Sequence, residues 1–149
     1  MALNKHWLFW IIAISVFIVD RVTKLAILNS FALGESISVL PFLSLTYVQN
    51  TGTAFGLFKN ASALFLIFAS LVSAYILYTY RRYSGITLAA LALLLAGALG
   101  NLLDRILYGS VIDFVNFHVW PVFNIADSAI FIAIILLLFH ELVQKRRKL

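Results

Sequence analysis

Asp20, Asp104, Asp113 and Asp127 are the only aspartates in a chain that is 63% hydrophobic and 11% charged. Each lies within or beside a long apolar run. An Asp at the centre of a lipid-exposed helix costs roughly 2.5–3.5 kcal/mol on insertion scales, so acids at membrane depth are usually paired, wetted or functional. Two carboxylates that face each other share one proton, because like charges close together cannot both ionise cheaply. The charged member takes a proton from a water and the protonated member donates to a carbonyl, which hydrolyses an amide without a metal or a nucleophilic side chain. Competing chemistries find few residues. Cysteine is absent, which excludes thiol catalysis, disulfides and thiolate metal sites. His6 and His140 fall at the ends of apolar runs and His118 in a loop, so no intramembrane Ser–His pair is available, and there is no H-E-x-x-H.

Membrane helices must position these groups. The mean hydropathy is +1.02, and 149 residues fit one domain. Residues 7–28, 61–80, 86–108 and 123–143 are each long enough to cross a hydrocarbon layer of about 30 Å at about 1.5 Å per residue. The expected fold class is therefore mainly α: a polytopic membrane protein with four transmembrane helices plus a small extracytoplasmic β element, residues 1–149 forming a single membrane domain. The first run is too long for a secretory signal peptide, carries Asp20-Arg21 near its end and is followed by no clear small-x-small site.

Basic residues set the orientation. Lys5, Arg81, Arg82, Lys145, Arg146, Arg147 and Lys148 gather on one side with only Glu141, a balance of +6. Arg21, Lys24, Lys59 and Arg105 oppose the four aspartates and Glu35 on the other, a balance of −1. Both termini are expected in the cytoplasm. The net charge of +5 is thus a topology signal and calls for no nucleic acid.

Residues 29–60 differ in character. Ser36-Ile37-Ser38-Val39 and Leu43-Ser44-Leu45-Thr46-Tyr47 alternate polar with apolar, the pattern of half-buried strands, and Gly34, Pro41, Gly52 and Gly56 punctuate them. A second outer segment, 109–122, is short and aromatic. Tyr47, Tyr108 and Trp120 suit the outer membrane interface, and Trp7, Trp10, Tyr78, Tyr80 and Tyr83 the inner one. Asp20 lies about 20 Å along its helix from Trp7, Asp104 about 27 Å from Ile86, and Asp127 about 6 Å into the last span from outside. Asp113 is in the outer segment itself. All four can meet in one cluster near the outer edge.

Ala92, Ala96, Gly100 and Asp104 share one helix face at i+4 spacing, a seam that lets membrane helices approach closely. Gly97, Asn101 and Arg105 form the neighbouring row. Asn124 suits an N-cap with Asp127 three residues on, as in a capping box. An Asp in the first turn sees the positive end of the helix, which favours the ionised form a base requires. Either Asp104 or Asp113 could partner Asp127 on these grounds. Asn50, before Gly52, could hold a substrate main chain at the rim. A small proton-coupled transporter using Asp20 and Asp104 is the alternative, although transporters place such acids near the midplane.

These residues fall into five ordered motifs. Asp20-Arg21-Val22-Thr23-Lys24, the Asn50–Gly56 turn, Gly100-Asn101-Leu102-Leu103-Asp104-Arg105, Val111-Ile112-Asp113-Phe114 and Phe123-Asn124-Ile125-Ala126-Asp127-Ser128 resemble the bacterial lipoprotein signal peptidases, signal peptidase II, along the whole chain. The resemblance implies an aspartic endopeptidase of the bacterial inner or cytoplasmic membrane, with its active site on the outer face. It implies removal of signal peptides from diacylglyceryl-modified prolipoproteins by cleavage before the lipidated Cys of the lipobox, in contact with membrane lipids and with no cofactor or metal. It marks Asp113 and Asp127 as the catalytic pair. Asp20, Lys24, Asn50, Gly52, Asn101, Asp104, Arg105 and Asn124 fall on supporting or substrate-contacting positions. Ala96-Gly97 stands where the family often has paired glycines, and the stretch from Asp113 to Asp127 is shorter than usual.

Overall fold

A computed structural model describes residues 5–52 and 62–146. Four long helices account for most of it: α1 (Lys5–Ser30), α2 (Ser62–Thr79), α3 (Gly85–Tyr108) and α4 (Ile125–Arg146). A 3₁₀ turn, Tyr80–Arg82, extends α2 into a short connection to α3. Among the described residues, three helices are long and apolar enough to cross a membrane, Ala63–Arg82, Gly85–Tyr108 and Ile125–Arg146. Length and hydropathy thus make three of the four expected crossings candidates. α1 has the length, 26 residues, but Asp20, Arg21 and Lys24 dilute its apolar run.

α3 is the central helix and packs against α1, α2 and α4. The seam at Ala92, Ala96, Gly100 and Asp104 is buried throughout. Glycine is required beside it and within it. A Cβ on Gly97 would lie 2.5 Å from the Ala126 carbonyl oxygen, and one on Gly100 would lie 2.7 Å from Asp20 Oδ2. The close approach of α3 to the start of α4 and to the polar turn of α1 depends on that missing atom. Gly109, at φ +70°, closes α3 by donating its N–H to the Arg105 carbonyl at 3.1 Å. This left-handed C-terminal position is one that glycine adopts at little steric cost.

Two apolar clusters hold the ends together. Phe9, Ile76, Tyr80, Leu88 and Leu95 join α1, α2 and α3 at the end away from the sheet. There Phe9 and Tyr80 stack with centroids 4.4 Å apart. Ile27, Tyr47, Ile112 and Phe114 form the other cluster, beneath the sheet. Tyr47 and Tyr80 are therefore core residues and not interfacial ones. The Tyr47 hydroxyl is satisfied by Gln49 Nε2 at 2.8 Å.

The sheet has three antiparallel strands in the order β1 (Ser36–Leu40), β2 (Leu43–Asn50), β3 (Val111–Asn116). The hairpin β1–β2 lies where the alternation placed it. β3 comes from the 109–122 segment, which the sequence marked only as short and aromatic. Val111 to Phe114 are all buried, so the strand carries no period-2 pattern to betray it. The β element expected over 29–60 is narrower on the N-terminal side, since α1 continues to Ser30. Positions 53–61, including the Gly56 end of the Asn50 turn, lie outside the described residues. Register pairs Val48 with Asp113 and Asn50 with Val111, which sets Asn50 beside the Asp113 carboxylate.

Candidate active site

Five elements deliver the polar residues to the sheet end of the bundle: Asp20 and Lys24 on α1, Asn101, Asp104 and Arg105 on α3, Asn50 and Asp113 on β2 and β3, and Asn124 and Asp127 at the start of α4. The capping box is present. Asn124 Oδ1 accepts the Asp127 N–H at 2.8 Å, and Asp127 Oδ2 accepts the Asn124 N–H at 3.2 Å. Reciprocal bonds of this kind satisfy two N–H groups that a helix start leaves unpaired. The same turn fixes where the Asp127 carboxylate points.

Asp113 and Asp127 are linked through one residue. Asn124 Nδ2 donates to Asp113 Oδ1 at 2.7 Å while its main-chain N–H serves Asp127. Asn50 Nδ2 donates to Asp113 Oδ2 at 2.9 Å, and Asn101 Nδ2 to Asp127 Oδ1 at 2.7 Å. Each of the four carboxylate oxygens thus has an amide donor. Gly52 locks Asn50 by giving its N–H to Asn50 Oδ1 at 3.0 Å. Burial, and after it the negative charge of Asp127, push the Asp113 carboxyl up to about 7, against the opposing pull of the Asn50 and Asn124 amides.

Asp20 and Asp104 have different partners. Arg21 pairs with Asp20 Oδ2 at 2.9 Å and Asp104 Oδ1 at 2.7 Å, and Lys24 Nζ with Asp20 Oδ2 at 3.0 Å and Asp104 Oδ2 at 2.7 Å. Two acids and two bases balance inside the protein. The remaining bonds reach forward: Asp20 Oδ1 accepts the Ala126 N–H at 3.0 Å, and Asp104 Oδ2 accepts the Ile112 N–H at 3.2 Å. Each acid of the ion cluster therefore holds the residue just before one member of the Asp113–Asp127 pair. Asp104 thus faces cations, whereas Asp113 shares Asn124 with Asp127. The ion pairing also removes the basis for a transporter relay on Asp20 and Asp104, which is not supported. Arg21 was missed as a site residue. Its signal is charge balance, because two acids at helix depth ask for two bases and Lys24 supplies one.

The pair opens into a cleft of about 810 Å³. Asn50, Gly52, Asn101 and Arg105 line its polar end, and Phe65, Ile130, Phe131 and Ile134 its apolar wall. Arg105 donates to the Asn101 carbonyl at 3.3 Å and lies over the Phe65 ring at 5.3 Å. Its Nε is buried without a hydrogen-bond partner among the described residues. Among the described residues no group of three or more His, Asp or Glu is arranged to hold a metal ion.

A multi-pass membrane protein with a paired-carboxylate cleft beside a small sheet is the class this architecture defines. The family profile described as Signal peptidase (SPase) II matches residues 12–143. The lipoprotein signal peptidase of Thermodesulfovibrio yellowstonii is 42% identical over 138 residues, covering 87% of this chain and 93% of the relative. That of Burkholderia mallei is 42% identical over 146 residues, covering 91% and 87%. Among solved structures, a bacterial membrane enzyme determined by the in meso method at 2.3 Å superposes with a TM-score of 0.89 at 35% identity, covering 95% of this chain and 91% of that one. A second, at 1.9 Å, gives 0.82 at 36% identity, covering 90% and 92%. The chain belongs to the signal peptidase II family, and it is a peptidase of that type.

Proposed function

We propose that this peptidase removes signal peptides from diacylglyceryl-modified prolipoproteins, cutting before the lipidated Cys, with Asp113 and Asp127 as the catalytic pair. The observation that carries the assignment is Asn124, which joins the two carboxylates from behind by one side-chain and one main-chain N–H, while both carboxylates line the cleft. The pair holds one proton, on Asp113, because burial and the neighbouring charge favour its acid form. Asp127 stands in the first turn of α4, with its Oδ2 held by the Asn124 N–H. It takes a proton from a water as that water adds to the scissile carbonyl carbon, while Asp113 donates its proton to the carbonyl oxygen. Asp127 then returns the proton to the departing nitrogen as the C–N bond breaks, and Asp113 recovers its own from the collapsing hydroxyl, so the cycle closes without other reagents.

Arg105 and Asn50 are proposed to hold the adjacent main chain, while Asn101 supports Asp127. The wall of Phe65, Ile130, Phe131 and Ile134 is suited to acyl chains or an apolar signal segment. Such anchoring fixes the scissile bond at the carboxylates, and positioning of this kind can lower a barrier by roughly 7–11 kcal/mol in the best cases. α1 is the fourth crossing in this reading, its polar residues drawn inward to α3 and neutralised there. The +6 against −1 asymmetry puts both termini in the cytoplasm and the sheet on the outer face of the bacterial inner or cytoplasmic membrane.

Cell-free cleavage of matched precursors with and without the diacylglyceryl group tests the substrate. The lipidated form is expected to turn over far faster, and equal rates overturn lipid anchoring. Single cysteines at Ser38 and Ser84 test the topology. An impermeant thiol reagent applied to intact cells or spheroplasts should label Ser38→Cys and spare Ser84→Cys.

A further inference from the structure

Asn101 has one carboxamide and several claimants on it. Its Oδ1 accepts from Lys24 Nζ at 2.9 Å and from Asn124 Nδ2 at 3.1 Å, while its Nδ2 donates to Asp127 Oδ1 at 2.7 Å. Turning the amide over would exchange oxygen and nitrogen within much the same space, so the partners decide its orientation. An ammonium only donates, so a lysine facing the amide demands the oxygen and sends the N–H₂ toward Asp127.

The other two amides at the pair have separate locks on their oxygens, the Gly52 N–H for Asn50 and the Asp127 N–H for Asn124. Asn124 Nδ2 is a weak lock for Asn101, because it divides two hydrogens among Asp113 Oδ1, the Ile112 carbonyl and Asn101 Oδ1. Lys24 is fully buried, and its three acceptors are Asp20 Oδ2, Asp104 Oδ2 and Asn101 Oδ1. Charge balance within the ion cluster accounts for the first two bonds and leaves the third over.

We propose that Lys24 is a positioning residue whose ammonium fixes the Asn101 amide so that its N–H, and not its oxygen, faces Asp127. This rests on Asp113 and Asp127 being the catalytic pair. Without the lock, the amide oxygen turns toward a carboxylate, the pair loses a donor, and the chemical step suffers while substrate binding does not.

The test is a set of full-length variants purified and assayed on a lipidated precursor. Lys24→Met is made together with Asp104→Asn, which keeps the cluster neutral, and Asp104→Asn alone is the control. The Met variant should lose about 10–100-fold in kcat relative to its control, as should Asn101→Ala relative to the unaltered enzyme, with KM within about threefold in both. Adding Asn101→Ala to the Met variant should cost less than about threefold more, because residues acting through one interaction are not additive. Multiplying losses, or a Met variant within about threefold of its control, overturn the proposal.

Lys24→Arg with Asp104→Asn keeps a group that only donates, at the same charge as the control. It should keep kcat within about threefold of the control, and it decides the matter if the Met variant does not fold. A loss as deep as that of Asn101→Ala overturns the proposal, and so does failure of both Lys24 variants to fold. Normal turnover by Asp113→Asn or Asp127→Asn would instead break the underlying catalytic assignment, which is a separate readout.

Discussion

Two pairs of aspartates lie at the same end of this molecule, and their neighbours make them different. Asp20 and Asp104 each touch both Arg21 and Lys24. Asp113 and Asp127 receive hydrogen bonds from the side-chain amides of Asn50, Asn101 and Asn124 and the Asn124 main chain. Cations at contact distance balance the charge of the first pair. Neutral amides hold the oxygens of the second in place without settling its charge, and that leaves a proton free to move between two acids. The first pair spends its remaining hydrogen bonds on the main chain ahead of the second. One pair is a brace and the other the proposed reagent.

The largest expected effect separates them by activity. Asp113→Asn or Asp127→Asn should lower turnover on a lipidated precursor by about 10²–10⁴-fold or more, the usual worth of a positioned proton-transfer group, while the purified protein remains folded. Near-normal cleavage by either would dissolve the distinction. Asp20→Ala should act on the fold instead. It leaves Arg21 and Lys24 buried against a single acid and frees the Ala126 N–H, and breaking a buried pair in this way costs about 3–5 kcal/mol. Thermal unfolding in detergent should show a marked loss, and an unchanged midpoint would mean that the brace carries no load.

A pH profile sharpens the comparison at smaller amplitude. The Asp113 carboxyl is raised to about 7, so the native pair keeps its proton below that value and loses it as pH rises through it. Turnover should then fall toward about tenfold per pH unit on the alkaline side, as expected when the acid partner is titrated away. A profile that stays flat well above neutral pH would show that no shared proton is needed. The smallest effect is packing. In Gly100→Ala the new methyl would meet Asp20 Oδ2 at 2.7 Å and the Ala126 Cβ at 3.2 Å. A cost of about 1–3 kcal/mol is expected from overpacking, with activity falling alongside stability because the braced residue is displaced. A neutral substitution would mean that α1 can retreat without disturbing α4.

Local patterns in the sequence carried much of this arrangement. The i+4 row ending at Asp104, the alternation of the β1–β2 hairpin, and the Asn124–Asp127 box are all short-range, and each appears in the fold as its spacing suggests. What stayed illegible needed contacts distant in the chain. Asp104 and Asp113 look equivalent beside Asp127 until Arg21 and Lys24 arrive from α1 to claim the first. β3 is buried on both faces and shows no alternation, so only its pairing with β2 identifies it. Tyr47 and Tyr80 look like interfacial aromatics by type, and packing draws both inside. The family motifs pointed to Lys24, but its bond to Asn101, 77 positions along the chain, is tertiary information.

The capping box has a consequence in time as well as in space. Asn124 and Asp127 close the first turn of α4 on each other, so the start of that helix and the placing of the Asp127 carboxylate are a single event. α4 follows every other element in the chain. A growing polypeptide that has made α1 to α3 and the sheet carries Asp113 without its partner, and it gains the second acid only when the last helix begins to wind. With Asp113 and Asp127 as the proposed pair, proteolytic capacity appears in one step, late in synthesis, and a chain cut short before α4 is expected to be inert toward every peptide bond around it, its own included.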